Sequence, residues 1–392
     1  MPNGYGLVLA GGGTKGAYEV GAWKALKELD LDITAIVGTS IGAINGALFL
    51  QDDFEKIVEL YNNLKFEDLA EVSEENKMFE GDIFSHKNIF KVTREFTKNK
   101  GLENAPMREL MLKYIDIDKI YNSPIIYGMV TTSIEKKEES LEVFKEDIPK
   151  EQLYDYILAS SCFPIFKPQK IGEREYLDGA IYDNIPVNML LKKGYTNLIV
   201  IDISQGGISK KILNKAAYIK IIKPNEKLGG IFDFDKERIK KNMTMGYLDT
   251  LKAFNKLQGH YYYFDIKEFD KFLTIFNLRT IYGLELAAKL YDIDMYKIYN
   301  YEEFLNELYI KHQRYAKEYN SLVLSTADIR LFIKSPKNMQ DILSKGMGLC
   351  LFIDLVTLEP KYNNSGIVNK LFAEYKEAGE AMVELLNYMK EE

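Results

Sequence analysis

Apolar residues in the first fifty positions fall into four runs of alternating character. Residues 5–10 (YGLVLA) are apolar without a break, as a buried strand is. Residues 17–29 set Val20, Trp23, Ala25, Leu26 and Leu29 on one stripe at helical spacing. Residues 33–37 return to a β-branched strand, and 43–50 are small and apolar with helical character. Strand, helix, strand, helix is the opening of a sheet with helices on both faces. The pattern predicts an α/β fold, three-layer αβα, around a mostly parallel sheet.

The same reading continues with helices over 52–64, 107–114 and 154–159, and strands over 125–132, 141–144, 197–203 and 218–222. Residues 71–100 are polar and mixed. Over 236–258, Ile239, Met243, Gly246, Tyr247, Leu251 and Phe254 form one side of an amphipathic helix, preceded by a loop, 229–234, whose Phe232 and Phe234 look exposed. From 268 the pattern reads as helix throughout, ending in Val368, Leu371, Phe372, Tyr375, Ala378, Met382, Leu385, Leu386 and Met389. These changes divide the chain into an α/β domain (1–223), a connecting amphipathic helix and strand (224–265) and a helical C-terminal region (266–392). A length of 392 residues is more than one core usually serves.

Composition narrows the function classes. Hydrophobic residues at 46% and charged residues at 28% describe a globular protein, and a formal charge of −7 argues against general nucleic-acid binding. The charge is uneven: residues 210–241 hold ten Lys/Arg against four Asp/Glu, a local +6 that suits anionic head groups or a solvated helical face. Two cysteines, Cys162 and Cys350, exclude a disulfide framework and fit a reducing compartment. No basic leader opens the chain and no apolar stretch approaches the length of a membrane span, so a cytoplasmic location is expected, with any lipid contact peripheral. Abundant Lys, Asn, Ile and Tyr lean towards a bacterial source.

The second strand turns into its helix through Gly38-Thr39-Ser40-Ile41-Gly42. Glycines where a Cβ would clash, around a raised serine, are the signature of a nucleophile elbow; an ordinary turn with Ser40 as N-cap is the plainer alternative. The first strand runs into Gly11-Gly12-Gly13-Thr14-Lys15-Gly16, which satisfies the dinucleotide pattern G-x-G-x-x-G. That pattern also wants an acidic residue at the end of the second strand, where this chain has Gly38-Thr39-Ser40. The remaining reading is an anion site without a phosphate, in which glycine N–H groups at a helix N-terminus face Ser40 as an oxyanion hole.

With residues 176–180 (YLDGA), followed by Asn184 and Pro186, and residues 159–164 (ASSCFP), these motifs resemble the patatin family of acyl hydrolases and phospholipases over 5–203. The resemblance implies a Ser-Asp dyad in which Ser40 attacks and Asp178 accepts its proton. Gly11, Gly12 and Gly13 would form the oxyanion hole, supported by Lys15, Gly38, Gly42 and Gly179. Lys15 stands where arginine is frequent, and keeps the charge without the planar fork. The implied substrate is a phospholipid or lysophospholipid, reached through peripheral contact with a membrane or lipid aggregate. No metal or organic cofactor and no nucleic acid is implied.

On this reading Phe232 and Phe234 would form a wedge for lipid access. The helical C-terminal region would cap the acyl site or join copies into a homo-oligomer. Rival readings are a nucleotide-binding Rossmann-type oxidoreductase and a non-catalytic lipid-binding module. Of the three histidines, His86, His260 and His312, the order Ser, Asp, His is open to His260 or His312, and neither has a supporting motif. His312 is expected on a polar helix surface.

Overall fold

The computed structural model describes residues 4–71, 101–135, 140–204, 209–323, 346–358 and 372–391, with Ile329, Ile342 and Leu343 besides. The chain divides into two compact units, Met1–Ala253 and Phe254–Glu392.

The first unit runs β1 (Tyr5–Leu9), α1 (Ala17–Glu28), β2 (Ile33–Thr39), α2 (Ile41–Phe49), α3 (Phe54–Asn63), α4 (Ala105–Tyr114), α5 (Ile117–Asn122), β3 (Ile126–Ser133), β4 (Ser140–Phe144), α6 (Leu153–Ser160), β5 (Gln169–Ile171), β6 (Arg174–Asp178), α7 (Val187–Lys192), β7 (Asn197–Ile201), β8 (Tyr218–Ile222) and α8 (Lys236–Ala253). Its sheet has the order β5-β6-β3-β2-β1-β7-β8, with β4 also paired to β3. The ladder from β3 through β8 is parallel, and β4, β5 and β6 join antiparallel. This is the α/β architecture the hydrophobic runs predict.

Successive strand residues face opposite sides. Val8, Ala35, Val37, Val130, Leu198 and Val200 pack on Val187, Met189 and Leu190 of α7. Ile36 turns the other way, towards Gly46 of α2, and there the buried Tyr127 hydroxyl donates to the Ala43 carbonyl at 2.6 Å. Burial on both faces is why β1 and β2 read as unbroken apolar runs rather than alternating ones.

Helix α8 ends at Ala253, short of the predicted 258, because Leu257 and Gln258 form a strand. It is not a connector: it lies along α1, where the buried Tyr18 hydroxyl donates to Asp249 at 2.8 Å and Tyr247 to Glu28 at 2.6 Å. Its apolar side is therefore spent on the first unit.

The second unit comprises β9 (Leu257–Gln258), β10 (Tyr263–Asp265), α9 (Ile266–Ile275), α10 (Leu278–Leu290), β11 (Ile298–Tyr299), α11 (Tyr301–Leu322), α12 (Gly348–Thr357) and α13 (Ala373–Glu391). Its core is aromatic, with Phe264 against Phe269, Phe272, Tyr299 and Phe304. A small sheet, β11-β10-β9, forms here: β10 falls on the strand expected in 224–265, β9 replaces the end of the expected helix, and β11 interrupts the expected run of helices. Strands of two residues are too short to leave a period in sequence.

His312 also departs from expectation. It is buried on α11, shares a 2.9 Å hydrogen bond with the Tyr291 hydroxyl, and is pushed down to about 4 by burial. The polar stretch 72–100, which includes His86, lies outside the described residues, as do Val368 and Leu371.

Candidate active site

Strand β2 delivers Ser40 into the turn before α2 with φ 56° and ψ −125°. A non-glycine residue there stores about 1–3 kcal/mol of strain, which the surrounding structure must hold. A Cβ on Gly42 would stand 2.6 Å from the Leu9 carbonyl oxygen, and one on Gly38 would run into the backbone of Gly42. Both glycines of the elbow are thus required by contact with main chain. The elbow is also held from outside: the Ser40 N–H donates to Ser160 Oγ at 3.1 Å, and Ser161 Oγ donates to the Ser40 carbonyl at 3.2 Å. Just before it, Thr39 Oγ1 donates to the Asp183 carbonyl at 2.9 Å.

The partner of Ser40 arrives by strand register. On β3, Val130 pairs with Thr39 of β2, and the next residue, Thr131, pairs with Asp178 of β6. The residue after Thr39 therefore meets Asp178, and Ser40 Oγ donates to Asp178 Oδ2 at 2.6 Å. Gly179 lies flat against the Val130 carbonyl, where a Cβ would collide. The Asp178 N–H donates to the Cys162 carbonyl at 2.9 Å, so residues 160–162 brace both members of the pair.

Asp178 is buried, and burial pushes its carboxyl up to about 7. Only two hydrogen bonds oppose that shift, from Ser40 and from the Ala180 N–H at 2.8 Å. An ionised carboxylate offers about four lone-pair sites, so these donors stabilise the charge incompletely. The proton on Ser40 faces an acceptor of neutral affinity rather than a weak, acidic one.

Across from the pair lies the glycine loop. Gly13 has φ +61°, and a Cβ there would strike the Ile231 carbonyl. Thr14 ties the loop to that segment: its N–H donates to the Ile231 carbonyl at 2.9 Å, its hydroxyl donates to the Gly230 carbonyl at 3.2 Å, and its Oγ1 accepts the Asp233 N–H at 3.1 Å. Gly11 corrects the three-donor expectation. Its N–H donates to the Asn184 carbonyl at 3.2 Å, while Asn184 Nδ2 donates back to the Gly11 carbonyl at 3.2 Å. Gly11 anchors the loop, and among the described residues the N–H groups of Gly12 and Gly13 have no partner. Lys15 is buried; desolvation lowers its ammonium pKa, and Asp202 is the charge that opposes the shift.

Phe232 and Phe234 are not free rings. Phe232 packs edge-on against Phe66, Phe163 and Phe166, and Phe234 against Phe66. Their loop is committed to holding Gly13 and Thr14, so the aromatic residues seal it down instead of projecting from it.

Beside the elbow an apolar cleft of about 460 Å³, its open mouth included, begins at Ile41. It follows α2 past Ile44 and Leu48 between α3 and α4, with Leu60, Met107 and Met111 among its walls. Its few polar groups are tied up: Tyr61 donates to Asn45 Oδ1 at 2.9 Å, and Asn45 Nδ2 donates to Glu19 at 2.8 Å and to the Gly16 carbonyl at 3.1 Å. Burial holds the Glu19 carboxyl well above the usual range.

A Ser-Asp-His relay does not fit this geometry, because Asp178 takes the serine hydroxyl directly and leaves no gap for an imidazole. His260 and His312 belong to the second unit. Among the described residues no group of three His, Cys, Asp or Glu side chains could hold a metal ion, and no helix is long and apolar enough to cross a membrane.

The family model for patatin-like phospholipases matches residues 7–191, the span that carries the glycine loop, Ser40 and Asp178. A probable lipid hydrolase, 463L, of invertebrate iridescent virus 6 is 27% identical over 191 residues, which are 47% of this chain and 63% of the viral protein. Lysophospholipase NTE1 of Scheffersomyces stipitis is 27% identical over 199 residues, covering 50% of this chain and 12% of its own length. The chain thus spans less than two thirds of either relative. The crystal structure of VipD from Legionella pneumophila aligns with 100% of this chain and 87% of its own at 16% identity and a TM-score of 0.38. Residues 7–191, from β1 to α7, are thus the part of the chain that is similar to patatin-like phospholipases.

Proposed function

We propose that the chain is a serine acyl hydrolase that cleaves a phospholipid or lysophospholipid ester, in the manner of a phospholipase A, at the periphery of cytoplasmic membranes. The observation that carries this reading is the 2.6 Å bond from Ser40 Oγ to a buried Asp178, with an apolar cleft starting at the neighbouring residue. Ser40 attacks the ester carbonyl as Asp178 takes its proton. The N–H groups of Gly12 and Gly13 receive the oxyanion, each contributing about 10²- to 10³-fold in rate. Asp178 then returns the proton to the departing alcohol and activates the water that releases the fatty acid from Ser40. An acyl chain in the cleft excludes water and strengthens each of these interactions.

The test is labelling with a fluorophosphonate probe and turnover of lysophosphatidylcholine by wild type, Ser40→Ala and Asp178→Asn. Labelling and turnover in wild type, with neither in Ser40→Ala, is the expected result. Labelling that persists in Ser40→Ala overturns the assignment.

A further inference from the structure

Strand β8 forms one edge of the sheet, and the segment leading to it is unlike the rest of the surface. Residues 210–223 contain five lysines and no acidic residue, in a chain of net charge −7. Lys211, Lys215 and Lys223 are exposed and have no carboxylate partner among the described residues. Between them stand exposed apolar side chains: Leu213 is 67% exposed, Ile221 55% and Tyr218 54%. Lysines alone are a common way to keep a sheet edge from pairing with another chain. That purpose does not explain Leu213 and Ile221, whose exposure is unfavourable in water.

The segment is a firm platform. Asn188 of α7 donates to the Lys211 carbonyl at 3.0 Å and accepts the Leu213 N–H at 2.9 Å. Ile219 packs into the core on the α7 side, and strand alternation puts Ile221 on that same side. The patch also reaches the site. The Lys210 N–H bonds to Asp183 Oδ1, and the Asp183 carbonyl holds Thr39, the residue before Ser40. At its far end β8 finishes where the Asp202 N–H donates to the Ile222 carbonyl, beside the C-terminal ends of β1, β2 and β7 that carry the glycine loop and the elbow.

We propose that this edge, residues 210–223, docks the protein on the surface of an anionic lipid bilayer. Lys211, Lys215 and Lys223 would meet the head groups, and Leu213 and Ile221 would enter the boundary beneath them. Basic and apolar residues interleaved on one exposed strip suit a charged interface with an oily layer under it, a combination that neither water nor an uncharged membrane offers. The proposal gives the lipid-ester reading a place of contact, and rests on that reading only for its purpose.

The experiment is flotation of the full chain with vesicles of phosphatidylcholine alone or mixed with phosphatidylserine. Wild type should float with the mixed vesicles only, and less as salt is raised. Changing Lys211, Lys215 and Lys223 together to alanine should weaken partitioning on the order of a hundredfold. Leu213→Ser with Ile221→Ser should weaken it about tenfold or more. Each variant should hydrolyse a short soluble ester as wild type does.

Equal binding to both kinds of vesicle overturns the proposal, as does unchanged binding by the triple variant. A change in self-association without a change in flotation also overturns it. Vesicle binding with no ester turnover would instead count against the hydrolase reading and leave this inference standing.

Discussion

Asp178 in the first unit and Glu285 in the second are both buried carboxylates, and they are dressed differently. Glu285 accepts the N–H groups of three consecutive residues, His260, Tyr261 and Tyr262, at 2.6 to 3.0 Å. Asp178 accepts one hydroxyl and one N–H. Main-chain donors converging on a carboxylate compensate its lost hydration and make it a staple for the loop that supplies them. Sparse donors leave the charge costly and the oxygen basic. Burial alone thus does not set the character of a carboxylate; the number of donors aimed at it decides how costly its charge is.

The widest break in that comparison should come from Asp178→Asn, which keeps the shape and removes the base. Turnover should fall about 10²- to 10⁴-fold. Stability should move the opposite way. The folded pKa of about 7 lies above the unfolded value near 3.9, so the native state binds the proton more tightly and this carboxylate destabilises the fold as pH rises towards 7 and beyond. Urea unfolding at pH 8 should show the variant more stable by on the order of a few kcal/mol, with the difference gone near pH 4.

Glu285→Gln should do the reverse. It should lose about 2–3 kcal/mol in the same measurement, with the specific activity of the folded fraction unchanged. If it lost activity and kept its stability, donor count would be a poor guide.

The pH profile sharpens the same point. Below about 7 the rate constant kcat/KM should fall tenfold per pH unit as Asp178 takes up its proton, with no second ionisation from a histidine.

Smaller effects follow from the walls. Leu48→Trp narrows the cleft along α2 and should lower kcat/KM for a long-chain ester about tenfold against a butyrate ester. Ser160→Ala removes one hydrogen bond to the Ser40 N–H and should cost about 1 kcal/mol, roughly fivefold in rate.

The elements of the site that are legible in sequence are those imposed by close contact with main chain. Gly38 and Gly42 are forced by backbone packing, and such a demand leaves a residue-type signature on either side of Ser40. Three features were not legible because each depends on partners distant in sequence: the Asn184 carbonyl that engages Gly11, the Ser160 and Ser161 hydroxyls on the elbow, and the Ile231 segment over Gly13. The string ASSCFP marks residues 159–164 as part of the motif set, but not as the brace between Ser40 and Asp178.

Periodicity read the long elements well and failed on β9 and β11, of two residues each, whereas β10 falls within the strand expected in 224–265. It also misplaced His312, whose polar neighbours Lys311, Gln313 and Arg314 say nothing about the direction in which one helix residue points.

The ladder of β3 has a consequence for how such a domain can change. Since Thr39 and Asp178 are gripped by adjacent rungs, Val130 and Thr131, the spacing between the Ser40 hydroxyl and the Asp178 carboxylate is written in one strand and in nothing that joins it to its neighbours. Inserted or deleted stretches in the connections, of any length that still lets the ends meet, leave that spacing intact. A single added residue between those two rungs would turn the carboxylate to the opposite side of the sheet.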